Sequence, residues 1–278
     1  MKKNHNKLAF IGCGNMGEAL IKGLLGKRYV SSANIIGADA DKKRLAYLKK
    51  TYSIKTVHEN SEVVEQGDII ILAVKPQIID SILKEIADSI DQSKLVISIA
   101  AGVSIDYIES FFKTKVRLIR VMPNTPALIQ EGATALSKGE KATRGDLNQA
   151  REIFNAVGRT VIVDEKLMDA VTGLSGSGPA YVFSILEALV AAGVKMGLPR
   201  DISLELSTQT ILGSIKMVVE TGEHPAKLRD MVTSPGGTTI AGLHVLAKEG
   251  LKGTIMNAVE AATKRSKELG EQLKKKKE

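Results

Sequence analysis

KLAFIGCGNMGEALIKGLLGK, Lys7 to Lys27, decides how the rest of the chain reads. A short apolar run, Leu8 to Ile11, stops at glycine, and Met16, Ala19, Leu20, Gly23 and Leu24 then recur at helical spacing. Gly12, Gly14 and Gly17 fit the spacing G-x-G-x-x-G, with Asn15 and Met16 in its last gap. That pattern is weak alone, but here it follows a strand and opens a helix, which is the context it requires. The first glycine makes a tight turn. The second lets backbone approach a pyrophosphate, and the third lets helix and strand pack closely. The helix N-terminus offers free N–H groups and the positive end of its dipole to phosphate.

The same alternation continues outward. ANIIGAD (Ala33 to Asp39) is short and apolar, and DKKRLAYLKKTY behind it is an amphipathic helix with Asp41 as N-cap. A short strand is expected near Lys55 to Val57. DIIILAVKP (Asp68 to Pro76), KLVISIA (Lys94 to Ala100) and VRLIRVMP (Val116 to Pro123) are near-continuous apolar strands. A further strand and helix follow, ending with RTVIVD (Arg159 to Asp164). Strands apolar on both faces, alternating with helices, predict a doubly wound parallel sheet of Rossmann type. From Glu165 no strand pattern remains. Ala180 to Met196, Ile202 to Glu220, Thr238 to Glu249 and Thr254 to Leu269 have helical period. The expected organisation is a dinucleotide-binding domain over residues 1–164 and an all-helical domain over 165–278, whose small residues allow tight packing within or between chains.

Bulk properties narrow the function. The chain has 278 residues, 44% of them hydrophobic, enough for two domains with buried cores. Its formal charge is +8, but Lys2, Lys3, Lys7 and Lys274 to Lys277 account for all but about +1, so these read as solvated, disordered tails. No basic stripe with interleaved aromatics points to nucleic acid. One cysteine, Cys13, excludes an internal disulfide framework, and the four histidines lack metal-ligand spacing, so no metal is expected. The apolar run at the N-terminus is too short for a signal peptide. Ala180 to Met196, interrupted by Glu187 and Lys195, reads as a buried helix and not a membrane span. The expected compartment is the cytoplasm.

The sheet should carry the cofactor beyond its strand ends. Asp39 lies 22 residues past Gly17, near the offset of about 20 for an acid that binds a ribose 2′-OH, which favours NAD. Lys42, Lys43 and Arg44 follow and offer charge to a 2′-phosphate, which favours NADP. The plainer alternatives are that Asp41 only caps a helix and the basic residues only form its solvated face. Ala73, Val74, Lys75 and Pro76 end the fourth strand, where the ribose-nicotinamide half is expected, although Lys75 also reads as an ordinary exposed lysine. Ile99, Ala100, Ala101 and Gly102 end the fifth, and Met122, Pro123 and Asn124 the sixth.

Two segments of the helical half are rich in Gly, Ser and Pro: TGLSGSGPAY (Thr172 to Tyr181) and RDMVTSPGGTT (Arg229 to Thr239). In the second, Ser234, Pro235, Gly236 and Gly237 precede a helix starting near Thr238. Its free amides form an anion site suited to a carboxylate, or the segment is simply a capped turn.

GCGNMG, AVKP, MPNTPA (Met122 to Ala127), EGATAL (Glu131 to Leu136), DAVTGLSGSGPAY (Asp169 to Tyr181), GVKMGLPR (Gly193 to Arg200) and DMVTSPGGTT (Asp230 to Thr239) together resemble pyrroline-5-carboxylate reductase, over about Lys7 to Leu269. The resemblance implies an NADPH-dependent oxidoreductase, with NADH used to a varying degree, that makes proline in the last step of its biosynthesis. It implies an interlocked homodimer, open to higher assembly, with the active site between one chain's sheet domain and the partner's helical domain. Asn60 matches an asparagine near the adenine ribose. Ser234 and the amides of Gly236, Gly237 and Thr238 match the substrate-carboxylate loop, and Thr239 matches a hydroxyl beside the substrate nitrogen. The acids Asp39 and Asp41 depart from the basic or Ser-rich strand end of NADPH-preferring members. A protonated C=N already accepts hydride well, so orientation and a dry site suffice, and no Cys-His, Ser-His-Asp or metal constellation is needed. The rivals are a 3-hydroxyacid dehydrogenase, for which Lys195 is the available base, and a non-catalytic dinucleotide-binding regulator.

Overall fold

Strand β1, Leu8–Ile11, is buried along its whole length, and the computed structural model, which describes residues 6–277, builds the sheet outward from it. Beside it lie β2 (Ile35–Ala38) and β4 (Ile69–Leu72), both parallel to it and both fully buried. β3 (Lys55–Val57), β5 (Leu95–Ser98), β6 (Arg117–Met122), β7 (Gly132–Lys138) and β8 (Gly158–Ile162) complete the order β3-β2-β1-β4-β5-β6-β7-β8. β7 runs antiparallel to β6, and β8 parallel to β7; the remaining pairs are parallel. Strand order reverses between β1 and β4, so a crevice opens at their carboxyl ends.

Period-two alternation divides the core into two layers. Leu8, Phe10, Ile69, Ile71, Leu95 and Ile97 face one side, where helices α1 (Asn15–Gly26), α2 (Lys42–Tyr52) and α6 (Arg144–Phe154) supply Leu20, Leu24, Leu48 and Phe154. Ala9, Ile11, Ile70, Leu72 and Val96 face the other, against Val63 of α3 (Asn60–Gln66), Leu83 of α4 (Ile79–Ile86) and Ile108 of α5 (Ile105–Glu109). Helix starts follow local chemistry. Asp41 caps α2 by accepting from the amides of Lys43 and Arg44, as expected. Thr143 and Asp146 form a reciprocal capping box on α6.

The helical half contains α7 (Met168–Val171), α8 (Gly178–Lys195), α9 (Arg200–Thr221), α10 (Pro225–Met231), α11 (Thr238–Lys248) and α12 (Leu251–Lys277). Two compact units result. One comprises the sheet with residues up to Ser177 and from Glu260; the other is Gly178–Val259. Residues 165–177 join the sheet unit because Met168 is fully buried and Glu165 pairs with the buried Arg120 at 3.2 Å while accepting the Ile105 amide. The end of α12 joins it through Ser266, which donates to Asp169 at 2.7 Å, and through Gly270, whose missing Cβ would lie 2.7 Å from the Gly102 carbonyl.

Three expectations change. Lys274 to Lys277 continue α12 as helix and are not a disordered tail; Lys2 and Lys3 lie outside the described residues. The Gly- and Ser-rich stretch before α8 is helical, with one π-type turn in which the Ser177 amide reaches the Thr172 carbonyl at 2.9 Å. Helix α8 is not buried within one chain: Val190 is its one buried residue among the described ones, Tyr181, Leu186 and Val194 are half-buried, and Val182, Phe183, Ile185 and Leu189 are exposed.

Ile71 is fully buried on β4. Ile71→Ala should destabilise the sheet unit by about 2–5 kcal/mol and Ile71→Val by about 1 kcal/mol, read as shifts in the urea midpoint.

Candidate active site in two parts

The glycine turn lies at the sheet's switch point and is tied to both neighbouring strands. The Gly12 amide donates to Ala38 O at 2.9 Å, and the Ala73 amide donates to Ile11 O at 2.8 Å. Gly12 has φ +87°, and a Cβ there would lie 2.6 Å from Ala73 O. A Cβ on Gly17 would lie 2.7 Å from Gly12 O. Gly14 differs: it is exposed, and a Cβ there would meet nothing within 4 Å. Two glycines are therefore needed by the fold, while the space over the third is left open at the N-terminus of α1. That open cradle fits a pyrophosphate. Asn15 is exposed and Met16 half-buried at the start of the helix.

Cys13, between the first two glycines, is buried. Burial first, and Asp39 second, push its thiol up to about 12. It is a packing residue rather than a nucleophile.

At the end of β2, Asp39 Oδ2 accepts the Cys13 amide at 2.8 Å and Oδ1 accepts the Asp41 amide at 2.9 Å. Arg44 is not part of a solvated face. Its Nε donates to Cys13 O at 2.6 Å, Nη2 donates to Gly14 O at 3.3 Å, and Nη2 pairs with Glu18. The hydroxyls of Tyr52 and Tyr47 donate to Glu18 Oε1 at 2.7 and 3.0 Å. Burial alone would raise the Glu18 carboxyl, but these hydrogen bonds and Arg44 hold it below its usual range. Asn60 opens α3 and donates through Nδ2 to Glu85 at 2.8 Å.

Strand β4 ends at Leu72, so Ala73, Val74, Lys75 and Pro76 form the loop beyond it, with Lys75 exposed. Ala100 is buried just past β5. Asn124 links β7 to the π-type turn: its Oδ1 accepts the Ala133 amide at 2.8 Å and its Nδ2 donates to Ser175 O at 3.0 Å. A cavity of about 620 Å³ opens beside Pro76, Ala101 and Gly102, bounded also by Thr172, Ser177 and the Arg265–Lys276 side of α12. The α12 wall was not anticipated. Gly270 is its one sequence signal, and a glycine inside a long helix has no partner visible in sequence.

In the second unit, Ser234, Pro235, Gly236 and Gly237 lead into α11. Gly236 has φ +65° and turns the chain, and a Cβ on Gly237 would overlap Ser234 Oγ. The Gly237 amide is used inside the turn, donating to Ser234 O at 3.1 Å. Thr238 and Thr239 open the helix, where amides have no intrahelical acceptor. Thr239 is half-buried and Thr238 exposed. Lys195 lies exposed at the end of α8.

Gly14→Ala should keep the wild-type melting temperature but weaken dinucleotide binding by about tenfold or more, whereas Gly12→Ala should fail to fold stably. Calorimetric titration beside a thermal scan distinguishes the two. Cys13 should resist Ellman's reagent at about pH 8 until the protein is unfolded in guanidinium.

The comparisons with known proteins agree with this geometry. Residues 165–269 match the family described as pyrroline-5-carboxylate reductase dimerisation, and residues 7–102 match the family described as NADP oxidoreductase, coenzyme F420-dependent. The chain is 47% identical to a pyrroline-5-carboxylate reductase of Methanosarcina acetivorans, over 96% of this chain and 98% of that one. Its fold is similar to the pyrroline-5-carboxylate reductase structure from Coxiella burnetii, with a TM-score of 0.91 and 36% identity over 96% of this chain and 99% of that one. It is also similar to the Plasmodium falciparum pyrroline carboxylate reductase with NADP bound, with a TM-score of 0.87 and 38% identity over the same shares. A glycine turn at the sheet's switch point, a second glycine-lined helix start in a helical unit, and near end-to-end similarity lead to one conclusion: the chain belongs to the pyrroline-5-carboxylate reductase family.

Proposed function

We propose that the chain reduces the C=N bond of 1-pyrroline-5-carboxylate to give L-proline, the last step of proline biosynthesis. The observation that carries this reading is the open space over Gly14, at the switch point of a chain similar to these reductases along nearly its whole length. The donor is NADPH, the reduced form of the NADP bound in the Plasmodium relative, with NADH as a second donor. When bound, the dinucleotide supplies the hydride that adds to the imine carbon.

The chain's own residues position and shield. Gly12, Gly14, Asn15, Met16 and Gly17 hold the pyrophosphate, and Asp39 and Asn60 lie toward the adenosine half. Ala73, Val74, Lys75, Pro76 and Ala100 flank the nicotinamide half. Ser234, Gly236, Gly237 and Thr238 hold the substrate carboxylate. Because the Gly237 amide is used within its own turn, the amides opening α11 carry most of that task. The Thr239 hydroxyl orients the imine nitrogen and relays a proton with water. A reducing cytoplasm suits a biosynthetic enzyme with a single thiol.

We also propose an interlocked homodimer in which the partner's Ser234–Thr239 segment completes the site. Val190 and Ser203 are the only buried residues among those described in Gly178–Val259, while Phe183, Leu206, Ile215 and Met256 are each more than half exposed. Residues 165–195 are long and apolar enough to cross a bilayer. A second copy of the chain is the better cover, because the exposed apolar residues continue over α9, α11 and α12 instead of ending with one helix.

The decisive assay follows loss of reduced-nicotinamide absorbance with 1-pyrroline-5-carboxylate, a 3-oxoacid, or no substrate; turnover is expected with the first alone. Thr239→Ala should lower kcat by about tenfold or more with little change in dinucleotide affinity, and wild-type turnover in that variant would remove Thr239 from the mechanism. Ile215→Asp should abolish the dimer seen by sedimentation in detergent-free buffer and take activity with it.

A further inference from the structure

The adenosine end of the crevice contains an interaction that the reaction itself does not use. A 2′-phosphate would have to sit beyond β2, beside the start of α2. Three features meet it there. Asp39 is pinned by two amides, one on each oxygen, so its charge cannot swing aside. Asp41 already occupies the Lys43 and Arg44 amides, at 2.8 and 3.3 Å, so the helix start is closed to another anion. Arg44 is fixed in position by the Cys13 and Gly14 carbonyls, and its charge is paired with Glu18.

Glu18 is itself firmly placed. Two tyrosine hydroxyls fix Oε1, leaving Oε2 for the guanidinium, and the Arg44 guanidinium lies 5.3 Å from the centre of the Tyr47 ring. The pair is about four-fifths buried on each side, so it is less screened than a surface ion pair. Lys42 and Lys43 are exposed and flexible, and serve a phosphate only as mobile point charges. A ribose hydroxyl meets better chemistry: the pinned Asp39 carboxylate keeps lone pairs to accept it.

We propose that Glu18 withholds Arg44 from a 2′-phosphate and thereby sets how this chain divides its use between NADPH and NADH. The inference rests on the dinucleotide reading above. Glu18 is a positioning residue, acting through Arg44. With Glu18 in place, the chain binds both dinucleotides with comparable affinity. Without it, Arg44 keeps its bonds to the Cys13 and Gly14 carbonyls, but its charge is no longer paired and turns to charge-assisted bonds with the phosphate.

The test is calorimetric titration of the purified full-length protein with NADP+ and with NAD+ at one ionic strength, without substrate. Wild type should bind the two within about tenfold of each other. Glu18→Gln keeps an oxygen for the tyrosines but loses the charge that is paired with Arg44. It should raise the affinity for NADP+ relative to NAD+ by at least about fivefold. Glu18→Ala, a good helix former, should shift the ratio the same way and serves if the glutamine variant folds poorly. Adding Arg44→Ala to either variant should erase the gain. A Glu18→Gln protein whose two affinities move by one common factor, or not at all, overturns the proposal and leaves the pair a structural clamp. A wild-type protein that binds neither dinucleotide overturns the underlying cofactor reading as well.

Discussion

Backbone touching backbone at the end of β1 is the constraint on which the sheet domain depends. The turn at Gly12 is bonded to β2 through Ala38 and lies against the Ala73 carbonyl beyond β4, so three strand ends are held in one place. A side chain at Gly12 or Gly17 would push these layers apart. Such close packing leaves no room for relaxation, since interiors already pack at crystal-like density. The open space over Gly14 is a product of that closure. Once its neighbours are fixed, the amides at the start of α1 face outward without obstruction.

The same economy appears at the adenosine end. Asp39 is proposed as a site residue, and both of its oxygens also accept amides that shape the glycine loop and the start of α2. Arg44 likewise reaches back to the Cys13 and Gly14 carbonyls. The proposed recognition and the loop geometry share atoms here, so a change made to alter one alters the other. Charges in this region are best understood as a network, because removing one partner leaves another unmatched.

Much of this was legible in sequence, for reasons that can be named. Buried parallel strands are short apolar runs, so IIIL, LVIS and RLIRVM announced themselves, and the glycine spacing located the turn. Asp41 was recognisable as a cap because capping is local. The packing of residues 165–177 and of the end of α12 against the sheet is not legible there. Met168, Ser266 and Gly270 join the sheet unit through contacts with residues far away in sequence, and no periodicity records these. The source of cover for α8 is not legible for a related reason. An apolar helix reveals that it needs cover, but not whether its own chain provides it. The role of Arg44 was hidden as well, since KKR looks like any solvated basic face until Glu18, Tyr47 and Tyr52 are brought beside it.

The nearly uncovered unit from Gly178 to Val259 has a thermodynamic consequence. A segment that keeps only Val190 and Ser203 away from water has little folding free energy of its own. Self-association of the kind the dimerisation match supports would supply the missing burial, and resistance to heat or protease would then depend on the solution as much as on the polypeptide. Dilute samples and newly made chains at low abundance stand nearest to unfolding. Any cell that lowers the amount of this protein also lowers the durability of each remaining molecule.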